Sequence, residues 1–258
     1  PWPPIPTPDA KAYLPVLEEW LKHNKTLQQA GAKPQLIIIN TSGGGSRAML
    51  WTFRCLQVAD SILGGQLMER SVLMTGSSGG LIGATYYRQL VLAEGEGRHA
   101  PHDAPVHLDE MAEDILNPVT FSLVTNDMFI RYRRVKDGDR SYTLDRGYAF
   151  ERRMDSLTEG LLDIRIGDMA QVEREAKVPM LVISPTSAND GRRLLISAQP
   201  IAYLSNIGPT YPVSSMVEAE SIEFQKLFKD QDAANLKLST ALRMNATFPY
   251  CTPVITLP

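Results

Sequence analysis

Cysteine, histidine and long apolar runs are all scarce in this sequence, and each scarcity removes a class of protein. Two cysteines among 258 residues, Cys55 and Cys251, are too few for a disulfide scaffold, so nothing demands an oxidising compartment. Cys55 falls within the apolar part of a helical pattern. No run of eighteen apolar residues occurs, so no membrane span is expected within these residues. A formal net charge of −3 offers no general attraction to nucleic acid, and no nucleic-acid partner is expected. Histidine occurs four times, at His23, His99, His102 and His107, and never after position 107. The last three lie in the polar stretch GEGRHAPHDAPVHLDE and read as solvated loop positions, with a metal site using Asp103 and Asp109 as the alternative. No internal repeat is visible.

What is present is enough for one large core: 43% of the residues are hydrophobic, which at this length favours one domain over two. The opening PWPPIPTP reads as a linker, and KAYLPVLEEWLKHNKTLQQAG as a leading helix interrupted by Pro15. Residues 1–30 therefore form an entry segment and residues 31–258 the domain proper. A targeting or spanning segment upstream is left open, and both a cytoplasmic and a membrane-associated location are compatible with the composition.

The first informative stretch is TSGGGSRAML, residues 41–50. QLIIIN before it reads as a strand buried on both faces. After it, Arg47, Arg54, Gln57 and Ser61 share one narrow helical face, and Met49, Phe53, Leu56 and Leu63 share the wide opposite one. Gly43, Gly44 and Gly45 stand between strand and helix, where one glycine would make the turn. Glycine lets the backbone approach another group closely, and the unpaired N–H groups of a helix start attract negative charge. Three occupants are open: nucleotide phosphates, the oxyanion of an acyl-transfer intermediate, or none, with the glycines serving packing alone. A dinucleotide fingerprint fits poorly, because the next strand, SVLMTG, ends in Thr75 and Gly76 rather than an acid. No Gly-Lys-Ser/Thr follows, which removes the P-loop.

The second strand-to-helix junction, VLMTGSSGGLIGATYYRQL, contains Gly76-x-Ser78-x-Gly80. A serine on such a sharp turn projects its hydroxyl above the sheet, and the crowding of the turn requires nearly side-chain-free positions two before and two after. A Ser/Gly-rich cap without chemistry is the plain alternative. Two Gly-rich turns after two successive parallel strands should lie side by side at the carboxyl ends of the sheet, one supplying a nucleophile and the other an oxyanion hole. No histidine follows position 107, so the usual order of serine, acid, histidine needs a histidine beyond residue 258; without one, a carboxylate acting directly on the serine remains. Two Asp-Gly pairs, Asp190-Gly191 and Asp137-Gly138, read as hairpin turns, with Asp190, and after it Asp137, as the minor alternative for the base.

Taken together, SGGGSRA and GSSGG resemble the patatin-like phospholipases, and the Ser-Gly-Gly-Gly-x-Arg-Ala-Met form is especially similar to the cytosolic phospholipases A of that superfamily. VPMLVISPTSANDGRRLLIS is similar to the family's central strand pair and LSTALRMNATFPYCTPV to its helix ending in small residues before a Phe/Tyr-Pro turn, so the resemblance spans most of residues 36–258. It implies a Ser/Asp dyad without histidine. Residue by residue, it implies Ser78 as nucleophile, Gly43, Gly44 and Gly45 as oxyanion-hole donors, Gly76 and Gly80 as the motif glycines, and Arg47 as a partner for a lipid phosphate or an anchor for its loop. It places the aspartate in an Asp-Gly-Gly or Asp-Ala-Gly turn that would follow PVITLP, so the acid is expected beyond Pro258.

Residues 95–165 carry Phe121, Leu123, Met128, Phe129, Ile130, Tyr132, Tyr142, Tyr148 and Phe150 among helix-like segments. They read either as an ordinary covering of the sheet or as a cap lining an acyl-chain pocket. RYRR at 131–134 and GRRLL at 191–195 are solvated faces that could also meet lipid headgroups. The expectation is an α/β fold with a mainly parallel sheet flanked by helices and a helical cap-like insertion. The expected activity is hydrolysis of phospholipid or other fatty-acyl esters without metal or other cofactor, with peripheral membrane contact, the alternative being a non-catalytic protein that binds lipid or a partner protein.

Overall fold

The computed structural model describes residues 8–26, 33–97, 101–129, 134–137, 140–205, 221–248 and 250–255. In chain order the regular elements are α1 (Pro8–Thr26), β1 (Ile37–Thr41), α2 (Gly45–Ile62), α3 (Leu67–Arg70), β2 (Ser71–Gly76), α4 (Ser78–Gly95), α5 (Val106–Ala112), α6 (Asn117–Ser122), β3 (Arg134–Asp137), β4 (Arg140–Thr143), α7 (Arg146–Leu157), α8 (Ala170–Arg174), β5 (Met180–Ile183), β6 (Arg193–Leu195), α9 (Ala202–Ser205), β7 (Ser221–Glu223), α10 (Phe224–Leu227) and α11 (Leu238–Ala246). A π-helical turn, Leu123–Asp127, continues α6.

The protein is mixed α/β, with a small parallel sheet of order β1-β2-β5 flanked by helices. Alternation along the inner strands builds two cores. Met74, Leu181 and Ile183 point to the side of α2, α4 and α11, while Val72, Met180 and Val182 point to the opposite side, where α1 supplies Trp20. Trp20 Nε1 donates to the carbonyl of Arg70 (3.1 Å) and Asn24 Nδ2 to that of Glu69 (3.1 Å), so α1 is bound to the sheet through its second half. Pro15 does not interrupt this helix, contrary to expectation. The contacts of Val16, Trp20 and Asn24, all buried just beyond it, outweigh the missing backbone bond.

β1 also departs from its reading. Ile39 is buried, but Leu36 and Ile38 are 51% and 54% exposed, because β1 is the edge of the three-stranded sheet and the cluster under α1 takes in Val72 and Leu73 rather than Ile38. On α2, Met49, Phe53 and Leu56 enter the core as expected, but Gln57 of the polar face is buried, as is Asp60 beside it. Cys55 is exposed. It shares an outward face with Trp51, Val58 and Ile62, all exposed, so α2 carries a second apolar face beside the one that enters the core. α4 is buried nearly throughout from Gly79 to Leu90.

His102 is not a solvated loop residue. Its Nε2 lies 2.7 Å from Asp60 Oδ2 and its Nδ1 contacts Glu94, while the Tyr87 hydroxyl donates to Asp60 (2.8 Å). Hydrogen bonding to Asp60 pushes the His102 imidazole up to about 9, against the opposing effect of burial. Burial would raise Asp60, but the hydrogen bonds from His102, the Leu67 N–H and Tyr87 hold its carboxyl below the usual range. His107 is buried beside Tyr86, 3.2 Å from its hydroxyl. His99 lies outside the described residues, and no metal-ligating group of three or more side chains occurs among the described ones.

The segment read as a helical cap contains α5, α6 and α7 but also the antiparallel pair β3–β4, in which Asp137 is registered with Arg140. The Asn189-Asp190-Gly191 turn is likewise a hairpin between β5 and β6: Ile183 and Ile196 exchange both backbone bonds at 2.9 Å, and Gly191 has φ 75°. Among the described residues no helix is long and apolar enough to cross a membrane.

Candidate active site

At the end of β2 the chain passes through Ser77 in extended geometry (φ −129°, ψ 140°) into Ser78 at φ 50°, the first residue of α4. A left-handed conformation at a non-glycine residue costs about 1–2 kcal/mol and persists only where its surroundings impose it. Those surroundings are backbone. A Cβ on Gly76 would lie 2.1 Å from Thr41 Oγ1 and 2.6 Å from the Thr41 carbonyl oxygen, and one on Gly80 would lie 2.1 Å from the Ser42 carbonyl oxygen. Both small positions of Gly-x-Ser-x-Gly are therefore needed because the first Gly-rich loop is pressed against the second. Gly79 and Gly83 continue the contact, with Cβ positions 2.0 Å from the Gly45 oxygen and 2.3 Å from the Met49 oxygen, so α2 and α4 meet backbone to backbone.

The three consecutive glycines differ in what they do. Gly43 faces the serine: a Cβ there would sit 3.1 Å from Ser78 Cβ. Gly44 and Gly45 have φ 149° and 61°, which lets the chain reverse from β1 into α2 and leaves the first N–H groups of that helix without intrahelical partners. The Ser77 N–H donates to the Thr41 carbonyl (3.0 Å), fixing the two loops side by side as the parallel pairing requires. Arg47 is exposed on the first turn of α2 and forms no ion pair among the described residues.

A residue that sequence reasoning missed completes the junction. Asn245, in the last turn of α11, donates from Nδ2 to the carbonyl oxygen of Gly76 (3.2 Å) across 169 positions. The run LRMNATFPY contains it, but no local pattern tells such an asparagine from a surface one.

Among the described residues no hydrogen bond to the Ser78 hydroxyl is formed by a histidine or a carboxylate. Asp190 is engaged elsewhere, its Oδ2 2.7 Å from Arg192 Nε, and that hydrogen bond holds its carboxyl below the usual range.

A large cavity, about 1040 Å³, lies beside α7 and α11 and does not include Ser78. Its wall carries Glu151, which accepts from Thr240 Oγ1 (3.0 Å) and lies 2.7 Å from Arg243 Nε, and Asp155, which burial and the neighbouring Asp163 push up to about 7. Burial also raises Glu151 despite Arg243. Tyr142 and Tyr148 line this cavity and Phe150 is buried, whereas Phe121, Val124, Met128 and Phe129 are all more than half exposed and do not line it. Ile130 and Tyr132 lie outside the described residues, as does all of RYRR except Arg134, which is exposed.

Compared with known proteins, the chain finds no matching family, curated protein or solved structure.

Proposed function

We propose that this chain carries the nucleophile of a patatin-like lipid acyl hydrolase, Ser78. The single observation that supports it is the junction itself: a strained serine at a strand-to-helix turn, with the glycines on either side sterically required and Gly43 against its Cβ. A Ser/Gly cap without chemistry accounts for the close-packed glycines but does not need a left-handed serine. In the reaction, a carboxylate takes the proton of the Ser78 hydroxyl as its oxygen attacks the ester carbonyl, and N–H groups at Gly43 to Gly45 stabilise the oxyanion. The alcohol leaves with a proton, and water then attacks the acyl-serine to release the fatty acid and restore Ser78. The acid in this reading is an aspartate, as the resemblance to the patatin-like family implies. The substrates are phospholipid or other fatty-acyl esters met at a membrane surface.

The test is labelling of the full-length protein with a fluorophosphonate probe, followed by peptide mapping. Ser78 carries the adduct on this reading, and Ser78→Ala abolishes both labelling and hydrolysis of a long-chain ester. An adduct that persists in Ser78→Ala overturns it. A non-catalytic lipid- or protein-binding role is favoured by one observation, the absence of a described acid or base bonded to Ser78; a folded protein that binds phospholipid vesicles but never labels would establish that role.

A further inference from the structure

We propose that Asn245 is a positioning residue for Ser78, holding the peptide unit that precedes the nucleophile turn. This rests on the reading of Ser78 as nucleophile. The carbonyl of Gly76 and the N–H of Ser77 belong to one peptide, which is planar. Its N–H end is held by the Thr41 carbonyl of β1 at 3.0 Å, and its C=O end by Asn245 Nδ2 of α11 at 3.2 Å. A plane tethered at opposite ends by two different elements cannot rotate about the strand direction. The next rotatable bonds are those of Ser77 and then the φ of Ser78, held at 50°.

The strain at Ser78 makes the clamp consequential. A left-handed serine relaxes toward ordinary geometry if the preceding peptide is free to turn, and that rotation carries the hydroxyl away from the Gly43 loop. Asn245 thus governs the direction of the nucleophile without touching a substrate. Packing does not account for it, since Asn245 is only partly buried and the core contacts of α11 come from Leu238, Ala241 and Leu242, all nearly inaccessible. Substitution at 245 therefore leaves the helix anchored. The interaction also requires a donor, because a carbonyl oxygen accepts an amide N–H but repels a carboxylate.

The experiment compares Asn245→Ala and Asn245→Asp with wild type in the full-length protein, measuring the second-order rate of fluorophosphonate labelling together with kcat and KM on a soluble ester. Both variants should label roughly tenfold or more slowly at neutral pH, the scale of a misdirected reacting group. The loss should fall on kcat, with KM changed by less than about threefold. In Asn245→Asp the rate relative to wild type should recover as pH falls through the carboxyl titration, because the protonated acid donates where the carboxylate only accepts; a merely structural role gives no such recovery. Labelling of either folded variant within about twofold of wild type at every pH would overturn the proposal. Should Asn245→Ala not fold, Asn245→Asp at low pH decides alone. Wild-type protein that fails to label, or Ser78→Ala that still labels, overturns the nucleophile reading instead.

Discussion

Gly43 and Ser78, thirty-five positions apart, are so close that a single methyl group on the glycine would stand 3.1 Å from the serine Cβ. That separation is tighter than ordinary contact yet short of a forbidden one, and Gly43, unlike Gly44 and Gly45, has a backbone that other residues can adopt. The position therefore separates folding from chemistry better than its neighbours. Gly43→Ala should melt within a few degrees of wild type while fluorophosphonate labelling at Ser78 slows about a hundredfold, the scale of losing one oxyanion donor. Unchanged labelling in a stable variant would show that the loop serves only the turn.

The backbone contact between α2 and α4 predicts a contrast within one helix. Gly83→Ala must push against the Met49 carbonyl, 2.3 Å away, and should cost about 3 kcal/mol, the upper end of overpacking. Gly95→Ala, at the far end of α4 with open space around it, should be neutral or stabilising by up to about 1 kcal/mol. Urea denaturation of both variants checks the order, and equal costs would contradict the close approach.

The buried pair of Arg88 and Glu173 offers a test of the sheet's far side. Arg88 Nη2 lies 2.8 Å from Glu173 Oε1, which also accepts the Leu181 N–H of β5, and both side chains are wholly inaccessible. Arg88→Met leaves that carboxylate buried without its cation, and should cost about 3–5 kcal/mol. The loss is measured as a shift in denaturation midpoint; a shift below about 1 kcal/mol would mean that the carboxylate finds another partner or a proton.

The His102 cluster predicts a pH dependence of stability. The folded imidazole titrates near 9 against an ordinary 6.5, so the stabilisation is fully present below pH 6.5 and is lost as pH rises through 9. Glu94 and Asp60 are held low, so their contribution is lost instead on acidification below the ordinary carboxylate range. Melting temperature should therefore fall between pH 6.5 and 9 in wild type and stay nearly level over that window in His102→Asn. Parallel curves would remove His102 as the titrating group.

Both strand-glycine-helix junctions and the hairpin at Asn189-Asp190-Gly191 were legible in the sequence, because each is written in residues whose conformational limits are local. A strand that must turn sharply beside another strand admits only glycine at Gly76 and Gly80, and glycine is visible as a letter. What only the tertiary structure decided is which groups stand opposite one another. Ile38 and Cys55 sit in patterns that look buried, and are exposed because no described neighbour covers them; Gln57 and His102 sit in patterns that look solvated, yet Gln57 is buried and His102 half-buried, because His102 bonds to α2 through Gln57 and Asp60. Asn245 finds Gly76 across 169 positions. Periodicity reports that a face is apolar or polar, but burial and hydrogen bonding depend on a partner that the chain brings from far away, and that distance leaves no local mark.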